Sequence, residues 1–136
     1  MVELRNKTYE LLAQLRDVDK LAVSIMIASG RRAVDIGRIH KEGVQKVGGR
    51  WFVTLAKDKV NSLPVNFSFN FEDSLIDEPE MTNRLNRELE LNTKPFEKVN
   101  WQRIRKKADF RLHSLRNRKA IKLILQGLSG LFFQKM

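Results

Sequence analysis

The sequence has 136 residues, and we expect a single domain over residues 1–136 with a substantial hydrophobic core. It contains no cysteine, which excludes disulfides, thiol nucleophiles and cysteine-based metal sites, and its two histidines are too few to suggest a metal site. The formal net charge of +10 and the pI near 10.2 favour a polyanionic partner.

The first predicted elements are three helices. Residues 3–15 place leucines at helical spacing on one face. Asp17 is expected to cap a second helix, whose stretch 21–28 is apolar on nearly all sides and is therefore expected to be buried. Gly30 ends this helix, because glycine accepts the left-handed conformation without penalty, and a short helix over residues 33–39 follows.

The apolar stretch 21–28 is the longest in the chain, and it is far shorter than the roughly 20 residues that a membrane span needs. The N-terminus also lacks the basic and then apolar pattern of a signal peptide. We therefore expect a soluble intracellular protein that does not associate with membranes.

The chain then changes from helical to strand periodicity. Segments 43–47 and 50–57 flank the pair Gly48-Gly49, which predicts a tight hairpin. After a turn, residues 62–69 alternate apolar and polar side chains and place Pro64 where an edge strand tolerates it. The pattern predicts a three-stranded antiparallel sheet.

The remaining elements are again mostly helical. Residues 70–79 are predicted to form an acidic loop, and residues 81–91 form a weak helical pattern. A further helix over 100–107 turns apolar side chains towards the core, and a last one runs over 113–126. The predicted fold class is α+β, mostly helical, with one small sheet.

The charges are unevenly distributed along the chain. Residues 102–119 contain eight basic residues and one acidic residue, whereas residues 72–90 contain seven acidic residues and two arginines. This distribution predicts one face that binds phosphates and another that avoids them, although a basic run is commonly just a solvated helix face.

The aromatic side chains and His40 have simpler interpretations. Trp51 and Phe52 are expected to pack the sheet, with contact of Trp51 to a nucleic-acid partner as the alternative, and Trp101 is expected to lie in the core. His40 is expected at the surface or in a turn.

Three separated segments place cationic groups near the ends of predicted elements. Arg31 and Arg32 follow the buried helix, Lys57 lies at a hairpin turn, and His113 and Arg116 share one face of a helix start. Guanidinium groups pair bidentately with phosphate oxygens, and a lysine or histidine can deliver a proton to a leaving oxygen. The set suits a phosphodiester.

The same segments resemble the motifs of the tyrosine recombinases, the phage integrase family. The segment "ASGRRAVDIGRI" is similar to the family's first arginine box, "FVTLAKDKVNSLPV" to its lysine hairpin, and "HSLR" to its His-x-x-Arg box. The helix, glycine and short helix that the family carries next are matched by "LILQGLSGLFFQKM". These matches occur in the family's order across almost the whole chain.

The resemblance implies which residues form the catalytic site. Arg32, His113 and Arg116 match the catalytic positions, Asp35 matches the acidic residue behind the first arginine, and Lys57 matches the catalytic lysine better than Lys59 does. The implied partners are duplex DNA and neighbouring recombinase protomers, with no metal and no small-molecule cofactor. The residues expected to contact DNA are Arg31, Lys59, Arg103, Arg105, Lys106, Lys107, Arg118 and Lys119.

The resemblance also implies segments that this sequence does not contain. The family continues with a Leu-Gly-His box and the tyrosine that attacks DNA, and it has a further N-terminal domain that clamps DNA. The sequence has a single tyrosine, Tyr9, in the first predicted helix. We therefore expect a catalytic-domain core without its nucleophile, either an engineered fragment or a shortened gene, that does not cleave DNA covalently by itself.

The resemblance predicts a part of a site-specific recombinase, which in its full-length form cleaves and rejoins DNA through a phosphotyrosine. Such a protein would act in the cytoplasm, at the nucleoid, in a bacterial, phage or mobile-element context. The alternative is a degenerate, non-catalytic protein of the same fold that binds DNA in a regulatory or architectural role. An unrelated RNA-binding protein fits less well, because aromatic-rich RNA motifs are not seen.

Overall fold

The structure is a computed structural model that describes residues 2–55, 65–73, 78–108, 111–112 and 114. The helices and strands, in chain order, are α1 (Val2–Ala13), α2 (Asp17–Ser29), α3 (Ala33–Gly37), β1 (Val44–Val47), β2 (Arg50–Leu55), β3 (Val65–Phe69), α4 (Glu78–Leu91) and α5 (Trp101–Lys107). The prediction of a mostly helical α+β fold with a three-stranded antiparallel sheet is confirmed.

Helix α2 forms the centre of the hydrophobic core. Its stretch Leu21–Ala28 is buried on every side, and the helix contacts β3, α3, α4 and the 3-10 turn Phe71–Asp73. An apolar helix of this kind is stable only when other elements cover all of its faces. No helix within the described ranges, α2 included, is long and apolar enough to cross a membrane.

The sheet has the order β1-β2-β3, with both pairs antiparallel. Gly48 and Gly49 join β1 to β2 with φ angles of 57° and 81°, the positive values that a two-residue hairpin of the favoured twist requires. Because side chains alternate along β2, Trp51 faces the core and Phe52 faces outward. Trp51 lies opposite Phe69 of β3, with ring centroids 6.4 Å apart.

Helix α4 begins earlier than predicted. The segment 70–79 was expected to be a loop, but it contains the 3-10 turn Phe71–Asp73 and the start of α4 at Glu78. Pro79 therefore lies in the first turn of α4, where its missing N–H would have no helical partner in any case. Three apolar residues at helical spacing, Met81, Leu85 and Leu89, are buried.

Two other predicted boundaries were wrong. Arg16, not Asp17, is the N-cap of α2, and it makes no capping hydrogen bond with its side chain. The carboxylate of Asp17 instead accepts a hydrogen bond from Arg84 of α4 at 3.0 Å, and its charge lies in the first turn of α2, where the helix dipole favours it. Helix α3 was predicted over residues 33–39 but ends at Gly37, and Ile39 beyond it is buried.

A pair of phenylalanine substitutions tests the assignment of the two sheet faces. Phe69 is fully buried, whereas Phe52 on the opposite face is 44% exposed. We expect Phe69→Ala to lower the free energy of unfolding by about 3–5 kcal/mol through the cavity that it leaves. Phe52→Ala should cost less than about 1 kcal/mol. Urea unfolding followed by circular dichroism measures both values, and equal costs would contradict the assignment of the faces.

Candidate functional site

The first two arginines of the predicted site follow the C-terminus of α2. Gly30 takes the left-handed conformation with φ 71°, and its N–H donates to the Met26 carbonyl at 2.9 Å. This C-cap ends the helix and turns the chain away from it. Arg32 is then the N-cap of α3, in extended conformation, so the arginine pair lies between the end of one helix and the start of the next.

A buried carboxylate holds both arginines. Asp35 has a side chain that is only 1% exposed, and its Oδ2 lies 3.2 Å from Arg31 Nη2 and 3.4 Å from Arg32 Nε. Arg32 Nη2 also donates to Oδ1 of Asp35 at 3.5 Å. One buried negative charge therefore serves two positive charges, and the cluster keeps a net positive charge.

The two arginines differ in exposure and surroundings. The Arg32 side chain is 59% exposed, whereas that of Arg31 is 33% exposed. The guanidinium carbon of Arg31 lies 5.5 Å from the ring centroid of Phe67 on β3, within the range of a cation–π interaction. Arg32 is thus the more accessible of the two to an anion, and Arg31 connects the arginine segment to the sheet.

The basic residues of α5 also divide into two groups. Arg103 donates to the buried carboxylate of Asp19 at 3.1 Å, and Lys107 donates to the Gln14 carbonyl at 3.2 Å. These two contacts attach α5 to α2 and to the segment before it. Arg105, Lys106 and Lys107 are all exposed, but the ammonium group of Lys107 is engaged by Gln14. Arg105 and Lys106 are therefore the residues of α5 that we expect to contact a phosphate.

Six of the predicted site residues lie outside the described residues. They are Lys57, Lys59, His113, Arg116, Arg118 and Lys119. The chain is described as far as Leu112, which is buried directly before His113, and at Ser114, whose N–H donates to the Arg111 carbonyl at 3.0 Å. The convergence of Arg32 with Lys57, His113 and Arg116 therefore stays a prediction.

Other side chains that the sequence singled out have structural positions. Trp51 is buried on the inner face of the sheet, as expected for a residue that packs the core, and Trp101 packs against the core from α5. His40 is half-buried and precedes the 3-10 turn Lys41–Gly43. Within the described part of the chain, no three histidine, aspartate or glutamate side chains group as a metal site would require.

The sequence analysis missed two residues that determine which arginine side chains interact with other parts of the chain. Asp19 was noted only as a charge in the first turn of α2, but it is buried and accepts from both Arg16 and Arg103. Phe67 was predicted only as a sheet residue, although its ring lies against Arg31. An aspartate beside a long apolar run was the available signal for Asp19, since such a residue is buried only when it is paired.

Comparison with known proteins gives the fold a precedent. No protein-family model matches this sequence. No curated protein matches it either. The solved structures that it resembles include the site-specific recombinase XerH bound to difH substrate in a pre-cleavage complex, with a TM-score of 0.62 and 17% identity over 91% of this chain and 42% of that one.

A second similar structure is XerH bound to palindromic difH substrate in a post-cleavage complex, with a TM-score of 0.62 and 16% identity over 91% of this chain and 41% of that one. The chain therefore spans about two fifths of the length of the recombinase chains that it matches. At this identity the likeness concerns the fold, and it confirms the tyrosine-recombinase fold that the motifs predicted.

Two substitutions on α5 test the division of its basic residues. Arg103→Ala removes one of the two arginines that face the buried Asp19, and we expect the free energy of unfolding to fall by about 2 kcal/mol, because a buried carboxylate loses a charged donor. Arg105→Ala removes the same charge from the exposed side of the helix and should cost about 0.5 kcal/mol or less. Urea unfolding distinguishes them, and a cost for Arg105→Ala as large as that for Arg103→Ala would contradict the assignment.

Proposed function

We propose that residues 1–136 form a single catalytic-domain core of a site-specific recombinase of the tyrosine type, which binds duplex DNA and engages its phosphodiester backbone. The observation that carries this proposal is the position of Arg32. It is exposed at the end of a buried helix and held by a buried carboxylate, within a fold whose solved neighbours are recombinase–substrate complexes.

In this proposal each cationic residue has a separate role in the phosphoryl transfer. Arg32 and Arg116 hold the non-bridging oxygens and stabilise the negative charge that builds up on them in the transition state. In the full-length enzyme, a tyrosine hydroxyl from outside residues 1–136 gives its proton to a base and its oxygen attacks phosphorus. The bond from phosphorus to the 5′ oxygen breaks, and Lys57 gives that oxygen a proton. His113 assists proton transfer, and attack by a 5′ hydroxyl on the phosphotyrosine reverses the step. The scheme requires no metal ion or cofactor.

The wider DNA contacts in this proposal come from basic residues outside the arginine segment. On α5 these are Arg105 and Lys106, and the remaining contacts are assigned to Lys59, Arg118 and Lys119. Phosphate contacts of this kind contribute affinity and position the protein without selecting a base sequence. Neighbouring protomers on the same DNA would complete the assembly, at the nucleoid in the cytoplasm of a host cell.

The first test of the proposal is the salt dependence of DNA binding. We expect the polypeptide to bind duplex DNA with little sequence preference and to lose affinity steeply as salt is added, because phosphate contacts release counterions. Replacing Arg105 and Lys106 with glutamine should weaken binding to all sequences alike and lower the slope of log affinity against log salt by about two. Fluorescence anisotropy with labelled duplexes between about 50 and 200 mM salt measures both quantities.

A charge-matched control uses the acidic helix α4. Arg87→Gln removes one positive charge from an exposed position on α4, and the salt slope should not change. If Arg87→Gln lowers the slope of log affinity against log salt as much as a single substitution on α5 does, binding depends on net charge and not specifically on Arg105 and Lys106. If the unaltered protein did not bind duplex DNA at low salt, the proposed function would be contradicted.

The second test concerns covalent chemistry. We expect no covalent protein–DNA adduct from this polypeptide, because its one tyrosine lies on α1, at a position 42% exposed beside the leucine face, and not in the arginine segment. Incubation with a nicked suicide substrate, followed by denaturing electrophoresis, tests this. An adduct mapped to Tyr9 would contradict the prediction, and Tyr9→Phe is the control that abolishes such an adduct.

A further inference from the structure

We propose that Arg31 is a positioning residue and not a DNA contact: it is the counter-ion that keeps Asp35 paired while Arg32 turns to a phosphate. The inference rests on the proposed function, since it gives Arg32 the role of phosphate ligand. It assigns to Arg31 a role that differs from the phosphate contact expected from the charge pattern.

The first step of the argument is the geometry of the shared carboxylate. Arg31 Nη2 and Arg32 Nε both approach the same oxygen of Asp35, at 3.2 Å and 3.4 Å. Arg32 donates two long hydrogen bonds to Asp35, at 3.4 Å and 3.5 Å, and its side chain is 59% exposed, whereas that of Arg31 is 33% exposed. Arg32 is therefore the partner that a phosphate can reach and draw away from the carboxylate.

The second step is the cost of leaving Asp35 without a partner. Its side chain is 1% exposed, so water cannot replace an arginine that departs. A buried charge that loses its only partner is strongly destabilised, which corresponds to a factor on the order of 100 or more in an equilibrium. With Arg31 in place, Arg32 can exchange the carboxylate for a phosphate and Asp35 keeps one cation.

The third step concerns what holds Arg31 in place. Its guanidinium lies over the ring of Phe67, and its backbone N–H donates to Ser29 Oγ at 3.2 Å. Its buried Nε finds no acceptor among the described residues, which is an energetic cost that an aliphatic side chain at this position would avoid. The charge of Arg31 therefore serves a purpose beyond filling space, and pairing with Asp35 is the purpose that its contacts support.

The test measures DNA affinity of the full chain in a double-mutant cycle with Arg31→Gln and Arg32→Gln. In the unaltered background we expect Arg31→Gln to weaken binding on the order of 10-fold to 100-fold, because Arg32 must then stay with Asp35. In the Arg32→Gln background the same substitution should change affinity by less than about 2-fold, since there is no Arg32 to release. An equal loss in both backgrounds would identify Arg31 as a direct phosphate contact and overturn the inference.

A rescue experiment adds a second readout. Arg31→Gln should lower the salt slope by about one, and Asp35→Asn in that background should restore both slope and affinity, because the neutral amide no longer holds Arg32. Combining Asp35→Asn with Arg105→Gln is the matched control. That pair should not recover its slope, since Arg105 does not contact Asp35. The inference would be overturned if Asp35→Asn restored the slope and affinity of the Arg105→Gln variant but not those of the Arg31→Gln variant.

Two further measurements keep the outcomes distinct. Arg31→Lys retains a cation beside Asp35, so its affinity should stay within about 5-fold of the unaltered protein, and a loss as large as that of Arg31→Gln would overturn the inference. Thermal unfolding of each variant separates loss of binding from loss of fold. If the unaltered protein does not bind DNA, the proposed function fails, whereas binding with additive effects at Arg31 and Arg32 defeats the counter-ion role alone.

Discussion

The burial of α2 is the constraint on which the rest of the structure depends. A helix that is apolar on nearly all sides must be covered by the sheet, by α3, by α4 and by the 3-10 turn before it is stable. Charged residues are then confined to the ends of α2 and to the segments that follow or precede it. Asp19 in its first turn and Asp35 beyond its C-terminus are both buried, and each forms ion pairs with two arginines. The core helix thereby fixes α5 near one end and the arginine segment near the other.

Because buried carboxylates form ion pairs with several arginines, the net charge of the protein does not show which basic side chains a ligand can reach. Arg31, Arg103 and Lys107 all contribute to the net charge of +10, but their polar heads contact other parts of the chain. Arg32 is also paired with Asp35, but its side chain is 59% exposed, and Arg105 and Lys106 are exposed as well. Electrostatic attraction to DNA depends on the total, whereas the phosphate contacts themselves depend on the accessible residues. Counting basic residues along the sequence gives only the first of these quantities.

The arginine segment lies in a fold that is shared at low sequence identity. The solved recombinases that share the fold are only 16–17% identical to this chain. In the motif that the sequence resembles, one residue stands between the glycine and the catalytic arginine, and here that residue is Arg31. Its contacts reach Phe67 on β3 and Asp35 on α3, so it joins the sheet to the segment that carries Arg32. The identity of this residue therefore affects the electrostatics of the arginine segment.

The sequence by itself determined the features that depend on near neighbours in the chain. The buried helix, its glycine C-cap and the Gly48-Gly49 hairpin all follow from local periodicity and backbone preference. The order of the motifs was sufficient to predict the fold. Convergence of Arg32 with Lys57, His113 and Arg116 was predicted from the same motifs and stays a prediction, since three of these residues lie outside the described part of the chain.

Only the tertiary structure decided which charges are engaged and where some helices begin. Asp17 was predicted as a cap, but its carboxylate pairs with Arg84, and Arg103 pairs with Asp19 across 84 residues of sequence. Such contacts depend on how helices pack, and no local pattern encodes that packing. A long cationic side chain has the same periodicity signal whether its head reaches solvent or a buried carboxylate. The difference is made by the dielectric and the partners that the folded chain places around it.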